Sequence, residues 1–140
     1  VDIKIVETNE ELEQAYHIRT TVFVDEQQVP PEEELDEYDK EAIHFVGSVN
    51  GVPIAASRLR FVDSSGKLER ICVLDTERGK SYGKMIIQRM ELEIKNNGYE
   101  KAKLNAQTHA EIFYQRLGYE TVSGEFMDAG IPHVTMIKEL

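Results

Sequence analysis

The chain is short of several things, and each shortage excludes a class of function. It has one cysteine, Cys72, so no internal disulfide forms, and no pair of Cys or His residues stands at metal-ligand spacing. Cys72 lies inside an apolar strand pattern and reads as a small buried side chain rather than a nucleophile. No apolar run approaches the length that crosses a bilayer, and the first residues alternate charged with apolar instead of forming a signal peptide, so the expected location is the cytoplasm. Basic charge is scarce: 16 Lys and Arg face 26 Asp and Glu, and the net charge of -10 argues against both nonspecific nucleic-acid binding and an anionic membrane as partner. Two phosphate-binding fingerprints are missing as well. A Walker A loop needs four residues between its glycines and a Ser or Thr after its Lys, whereas only three separate Gly79 from Gly83 and Met85 follows Lys84. The Gly-x-Gly-x-x-Gly of dinucleotide folds is absent too.

What is present fits one globular domain over residues 1–140, with 41% hydrophobic and 30% charged residues. Residues 2–7 alternate as a strand. Thr8 and Glu11 have capping-box spacing, and Leu12, Ala15, Tyr16, Val22 and Phe23 then recur at helical spacing until Pro30-Pro31. Residues 25–41 carry nine acids against one Lys, which predicts a solvated loop or ragged helix that is either plain surface or a lure for a cationic substrate. Asn50-Gly51 joins two predicted strands, 43–49 and 52–62, and a further turn at 63–66 leads to a strand over 67–74. A helix with a buried stripe of Ile86, Ile87, Met90 and Ile94 ends at Asn96-Asn97-Gly98. A strand over 101–107, a short helix over 110–117 and two last strands around Asp128-Ala129-Gly130 complete a mixed α/β order, with helices on the faces of a mostly antiparallel sheet.

The stretch from Leu68 to Arg89 holds the main functional signal. A strand feeds Arg78-Gly79-Lys80-Ser81-Tyr82-Gly83-Lys84 and then an apolar helix. Unpaired N–H groups of a first helical turn converge on one spot, the helix dipole adds partial positive charge, and Gly permits close approach, so the segment predicts an anion cradle for a phosphorylated ligand.

That cradle, with Val73, Asp75, Gln107, Ala110 and Phe113-Tyr114-Gln115-Arg116-Leu117-Gly118-Tyr119, resembles the acetyl-CoA signature of the GNAT N-acetyltransferase superfamily. Ile18-Arg19, Val22-Phe23-Val24, Glu26-Gln27, Val29-Pro30 and Gly130-Ile131-Pro132-His133-Val134 are similar to the bacterial ElaA and YjcF-like branch in particular. The resemblance implies a GNAT-like fold and acetyl-CoA as co-substrate, without a metal. It also implies that the amides from Gly79 to Lys84 bind the pyrophosphate, with local charge from Arg78, Lys80 and Lys84. The pantetheine arm would lie along Ile71-Cys72-Val73 as a pseudo-strand. Ser81 stands where the family pattern has its first glycine, so its amide suits the task if its φ is negative. Gln107 stands where Asn is common, and Arg116 belongs to the same cofactor motif.

Acetyl transfer to an amine needs an ammonium to lose a proton, an oxyanion to find donors and a thiolate to be protonated. The resemblance assigns the last task to the Tyr114 phenol and the oxyanion to the Val73 N–H. Glu69 is the first candidate for general base, provided burial raises its pKa, or else it pairs with Arg58 or Arg60 across the sheet. Glu26 is the second. His133 and Glu26 are expected to touch the acceptor, and His109 opens the Tyr114 helix. The implied partner is a small-molecule or peptide amine, with the acidic loop and final hairpin as candidate homodimer surfaces. The alternative function is a non-catalytic acyl-CoA-binding or sensing module.

Overall fold

The computed structural model describes residues 1–140 and contains eight strands and four α-helices. Strand β1 (Asp2–Ile5) leads to α1 (Asn9–Arg19), whose Thr8 hydroxyl accepts from the Glu11 amide while the Glu11 side chain accepts from the Thr8 amide, the reciprocal cap that the spacing predicts. The helix then widens into a π-helical turn over Thr20–Glu26. A single turn, α2 (Pro31–Glu34), and a 3-10 turn, Glu37–Lys40, span the acidic segment. Strands β2 (Ile43–Val49), β3 (Val52–Val62) and β4 (Ser65–Val73) follow as a meander. Both connecting turns place two consecutive residues at positive φ: Asn50 with Gly51, and Asp63 with Ser64. That geometry matches the twist of the flanking strands.

After β4 come α3 (Tyr82–Asn96), β5 (Lys101–Gln107), α4 (Glu111–Arg116), β6 (Glu120–Thr121), β7 (Phe126–Asp128) and β8 (Ile131–Glu139). The final region therefore holds three strands rather than two. The two-residue β6 carries too little alternation to be read from sequence. The sheet order is β1-β2-β3-β4-β5-β8-β6, with β7 also on β8. Every pairing is antiparallel except β4 with β5. No helix is long and apolar enough to cross a membrane.

Consecutive strand residues point to opposite faces, and two hydrophobic clusters follow from that. Phe45 and Ala55 join Leu59, Leu68, Leu104 and Met136 beneath α3, while their neighbours Val46 and Ala56 join Cys72 beneath Ala15, Ile18 and Val22 of the N-terminal helical region. The α3 stripe of Ile86, Ile87, Met90 and Ile94 is fully buried as its spacing predicts, each side chain contributing about 1.5–3 kcal/mol of transfer free energy. Gly66 lets β4 run directly under Ile94, because a β-carbon there would overlap that side chain.

Candidate active site

β4 and β5 start as neighbours and then part. Their register pairs Gly66 with Ala102, Lys67 with Lys103 and Leu68 with Leu104, and no pair follows. The cause lies on the other side of β4. Between two matched pairs β3 advances two residues, from Ala56 to Arg58, while β4 takes three, from Cys72 back to Glu69. The extra residue is a bulge, with Arg70 at φ 56°, and it bends the upper half of β4 away from β5. A cleft of about 940 Å³ opens beyond the split, walled by Ile71, Cys72 and Val73 on one side and Gln107, Phe113 and Tyr114 on the other.

The cradle closes one end of this cleft. Arg78, Gly79, Ser81, Tyr82, Gly83 and Lys84 all line it. The Ser81 carbonyl accepts the Met85 amide at 3.2 Å, which leaves the preceding N–H groups of α3 without intrahelical acceptors. No side chain caps this end of α3. Gly79 takes φ 81° with open space around it. Ser81 departs from expectation: its φ is 64°, left-handed, where the sequence reading required a negative value. The chain adopts at Ser81 the conformation that glycine holds without strain.

The local charge also differs from expectation. Arg78 is folded back: its Nε donates to the Val73 carbonyl at 3.0 Å, and its other nitrogens meet both Glu26 carboxylate oxygens at 2.6 and 2.7 Å. Lys80 donates to Glu77 at 2.7 Å and is absent from the cleft wall. Lys84 is the one cradle cation with no carboxylate partner. Arg116 is exposed at the end of α4 and lines none of the cleft. Glu26, expected to face an acceptor or act as base, instead anchors Arg78. That hydrogen bond holds its carboxyl below the usual range.

Val73 and Tyr114 sit on facing walls. The Leu74 amide donates to Ile54 on β3 at 2.8 Å, so alternation along the strand turns the Val73 N–H the other way, toward the split. The Tyr114 ring packs edge-on against Phe113 and Tyr119, and its hydroxyl bonds to no protein group. Burial alone pushes the phenol up to about 12. Burial does the same to the Cys72 thiol, also to about 12.

Glu69 requires correction. Arg58 reaches it at 2.9 Å, Arg60 at 2.6 Å and Lys67 at 3.2 Å. Burial works to raise its pKa, but the hydrogen bond from Arg60 and the charges of Arg58 and Lys67 prevail and hold the carboxyl at about 2. A carboxylate so strongly stabilised is a poor proton acceptor, and of the two readings the ion pair is the one realised.

Gln107, expected from the resemblance to touch the cofactor, lines the cleft and the cavities beside it. Its amide donates to the Gln27 side chain at 2.8 Å and accepts from His109 Nε2 at 2.6 Å. A second cavity, of about 250 Å³, continues past Gln107 and Tyr114 to Arg70, Asp128 and His133. That Gln27, Arg70 and Asp128 meet here was not legible in the sequence, because chain segments far apart in sequence bring them together.

Residues 6–140 match the family model described as the acetyltransferase (GNAT) domain. YjcF of Bacillus subtilis, an uncharacterised N-acetyltransferase, is 44% identical over 96% of this chain and 97% of its own. The crystal structure of ElaA from Escherichia coli superposes with a TM-score of 0.85 at 25% identity, covering 99% of both chains. A GNAT family acetyltransferase from Elizabethkingia anophelis with acetyl-CoA bound shares the fold, with a TM-score of 0.78 at 16% identity over 99% of this chain and 97% of that one. The split sheet, the cradle at the head of α3 and these likenesses lead to one conclusion: the chain belongs to the GNAT acetyltransferase superfamily, in the branch of ElaA and YjcF.

Proposed function

We propose that the protein is an acetyl-CoA-dependent N-acyltransferase that moves the acetyl group to a primary amine by direct transfer in a ternary complex. The observation that carries this reading is the split between β4 and β5, which has free helix amides at one end and Tyr114 in its wall. The fit to acetyl-CoA is chemical. Amides of the α3 N-terminus suit a pyrophosphate, Lys84 adds charge, and the edge of Ile71 to Val73 facing the split, where only the Val73 carbonyl is taken by Arg78, offers backbone groups to an amide-bearing arm.

The Val73 N–H faces the gap where a thioester carbonyl would gain negative charge, and stabilises it there. The Tyr114 phenol keeps its proton at neutral pH and gives it to the departing sulfur. A free thiol is ordinarily more acidic than this phenol, so the proton moves as the carbon–sulfur bond breaks and charge gathers on sulfur, not onto a fully formed, solvated thiolate.

A thermal-shift and thiol-release screen with acetyl-CoA and a panel of primary amines tests the reading. Wild type gains Tm with acetyl-CoA and releases thiol with at least one amine. Tyr114→Phe keeps the Tm gain and loses about 100-fold or more in kcat. Binding without release from any amine would favour the sensing module, and no Tm gain would overturn both.

A further inference from the structure

His133 stands where the second cavity, which also holds Tyr114 in its wall, meets a third cavity, of about 290 Å³, beneath the β7–β8 turn. It lines both. Its side chain is only 9% exposed and stacks on Phe126 with ring centroids 6.0 Å apart. Its Nδ1 lies 2.6 Å from the Ile131 carbonyl oxygen. A carbonyl oxygen only accepts, so Nδ1 carries the proton, and in the neutral ring Nε2 carries the lone pair. No protein group bonds to Nε2. A buried imidazole lining a cavity shared with Tyr114, with one nitrogen tied to backbone and the other free of protein partners, is arranged as a proton acceptor.

We propose, resting on the acetyl-transfer reading above, that His133 is the general base and that the third cavity admits a primary amine that is cationic in solution. Glu32, Glu33 and Asp128 border that cavity and form no ion pair, so they are free to attract an ammonium. The other charged groups there are Arg70 from β4, bound to Glu34 and Asp36 of the α2 segment. Lys67, Glu69, already paired with three cations, and His109, whose Nε2 is tied to Gln107, face the second cavity.

The step balances. Nε2 takes one proton from the ammonium, and the amine nitrogen forms its bond to the acetyl carbon. The carbon–sulfur bond then breaks with its electron pair on sulfur, which takes the Tyr114 proton. The nitrogen proton expelled as the amide forms restores the phenol, and His133 returns its proton to solvent. The overall change is ammonium plus thioester to amide, thiol and one released proton.

Two measurements test this. Long-range 1H–15N correlation of the wild-type imidazoles, without any acceptor, should show His133 protonated at Nδ1 and bare at Nε2 when neutral; a ring protonated at Nε2 would overturn the proposal. With acetyl-CoA and whichever amine of the panel is acetylated, His133→Gln should lose about 100-fold or more in kcat/KM and lose the acid limb of its pH profile, while the Tm gain with acetyl-CoA stays. A variant within threefold of wild type with the same limb would overturn the base assignment and leave the acetyltransferase reading standing. Failure of the wild type to acetylate any amine would overturn both.

Discussion

At Ser81 the chain pays for its cradle. A non-glycine residue at φ 64° costs on the order of 1–3 kcal/mol, and this one heads α3 without a side-chain cap to offset it. The strained turn heads a helix whose first amides have no side-chain cap, so the strain is placed at the anion site. Ser81→Gly should therefore stabilise the protein by about 1 kcal/mol in urea unfolding and leave the acetyl-CoA thermal shift intact. A destabilised variant would contradict this account of the turn. The presence of a cradle was legible because strand, glycines and apolar helix lie within some twenty consecutive residues. The conformation of Ser81 was not, because nothing in its neighbours reports φ. The fates of Arg78 and Lys80 were hidden for a related reason: Glu26 comes from a distant segment, and Glu77 looks like any surface acid until the 3-10 turn places it.

Among elements, the acidic segment departs furthest from its sequence reading. Its charge run predicts solvated surface, yet Glu34 and Asp39 are buried and α2 is a clasp. Arg19 meets Asp39 at 2.7 Å and Glu34 at 3.1 Å, and Arg58 meets Asp36 at 2.7 Å and Asp39 at 2.9 Å. The excess of acids was visible, but their partners lie on α1, β3 and β4, beyond the reach of local periodicity. This clasp holds the wall of the third cavity against the bulged half of β4. Removing Arg58 takes one cationic partner from each of Asp36, Asp39 and Glu69, which keep Arg70, Arg19 and Arg60 respectively, so Arg58→Ala should cost about 3 kcal/mol in stability, the low end for breaking a buried ion pair.

The clasp also sets an acid limit. Burial raises the Asp39 carboxyl, but hydrogen bonds from Arg19 and from the Asp36 amide outweigh it and leave about 2, and Glu69 settles at the same value. Both folded values lie below the unfolded ones of about 4, so their contribution is complete above that range and is lost as pH falls toward 2. Urea unfolding should give a stability that is level down to about pH 5 and then drops, with a shallower drop in Arg58→Ala. A stability that rises on acidification would contradict the network.

Across the whole molecule, the alternating clusters and the α3 stripe made the mixed sheet legible, since periodicity fixes which residues face inward. The split between β4 and β5 was not legible, because it arises from a one-residue bulge whose positive φ falls on Arg70 rather than on a glycine. A net charge of -10 gives the molecule a field that draws cations toward it. KM for a cationic amine should accordingly rise several-fold between low salt and about 0.5 M, where the Debye length shrinks to a few ångströms, with kcat little changed. A KM indifferent to salt would separate the acceptor site from that field.

The central claim is that one cleft grips a diphosphate at the head of α3 and delivers its thioester to Tyr114. A crystal structure of the protein with CoA tests it most directly. The account predicts the pyrophosphate on the amides from Ser81 to Lys84, the pantetheine along Ile71 to Val73, and the sulfur within hydrogen-bonding reach of the Tyr114 hydroxyl. CoA bound elsewhere, or a sulfur out of that hydroxyl's reach, would contradict it.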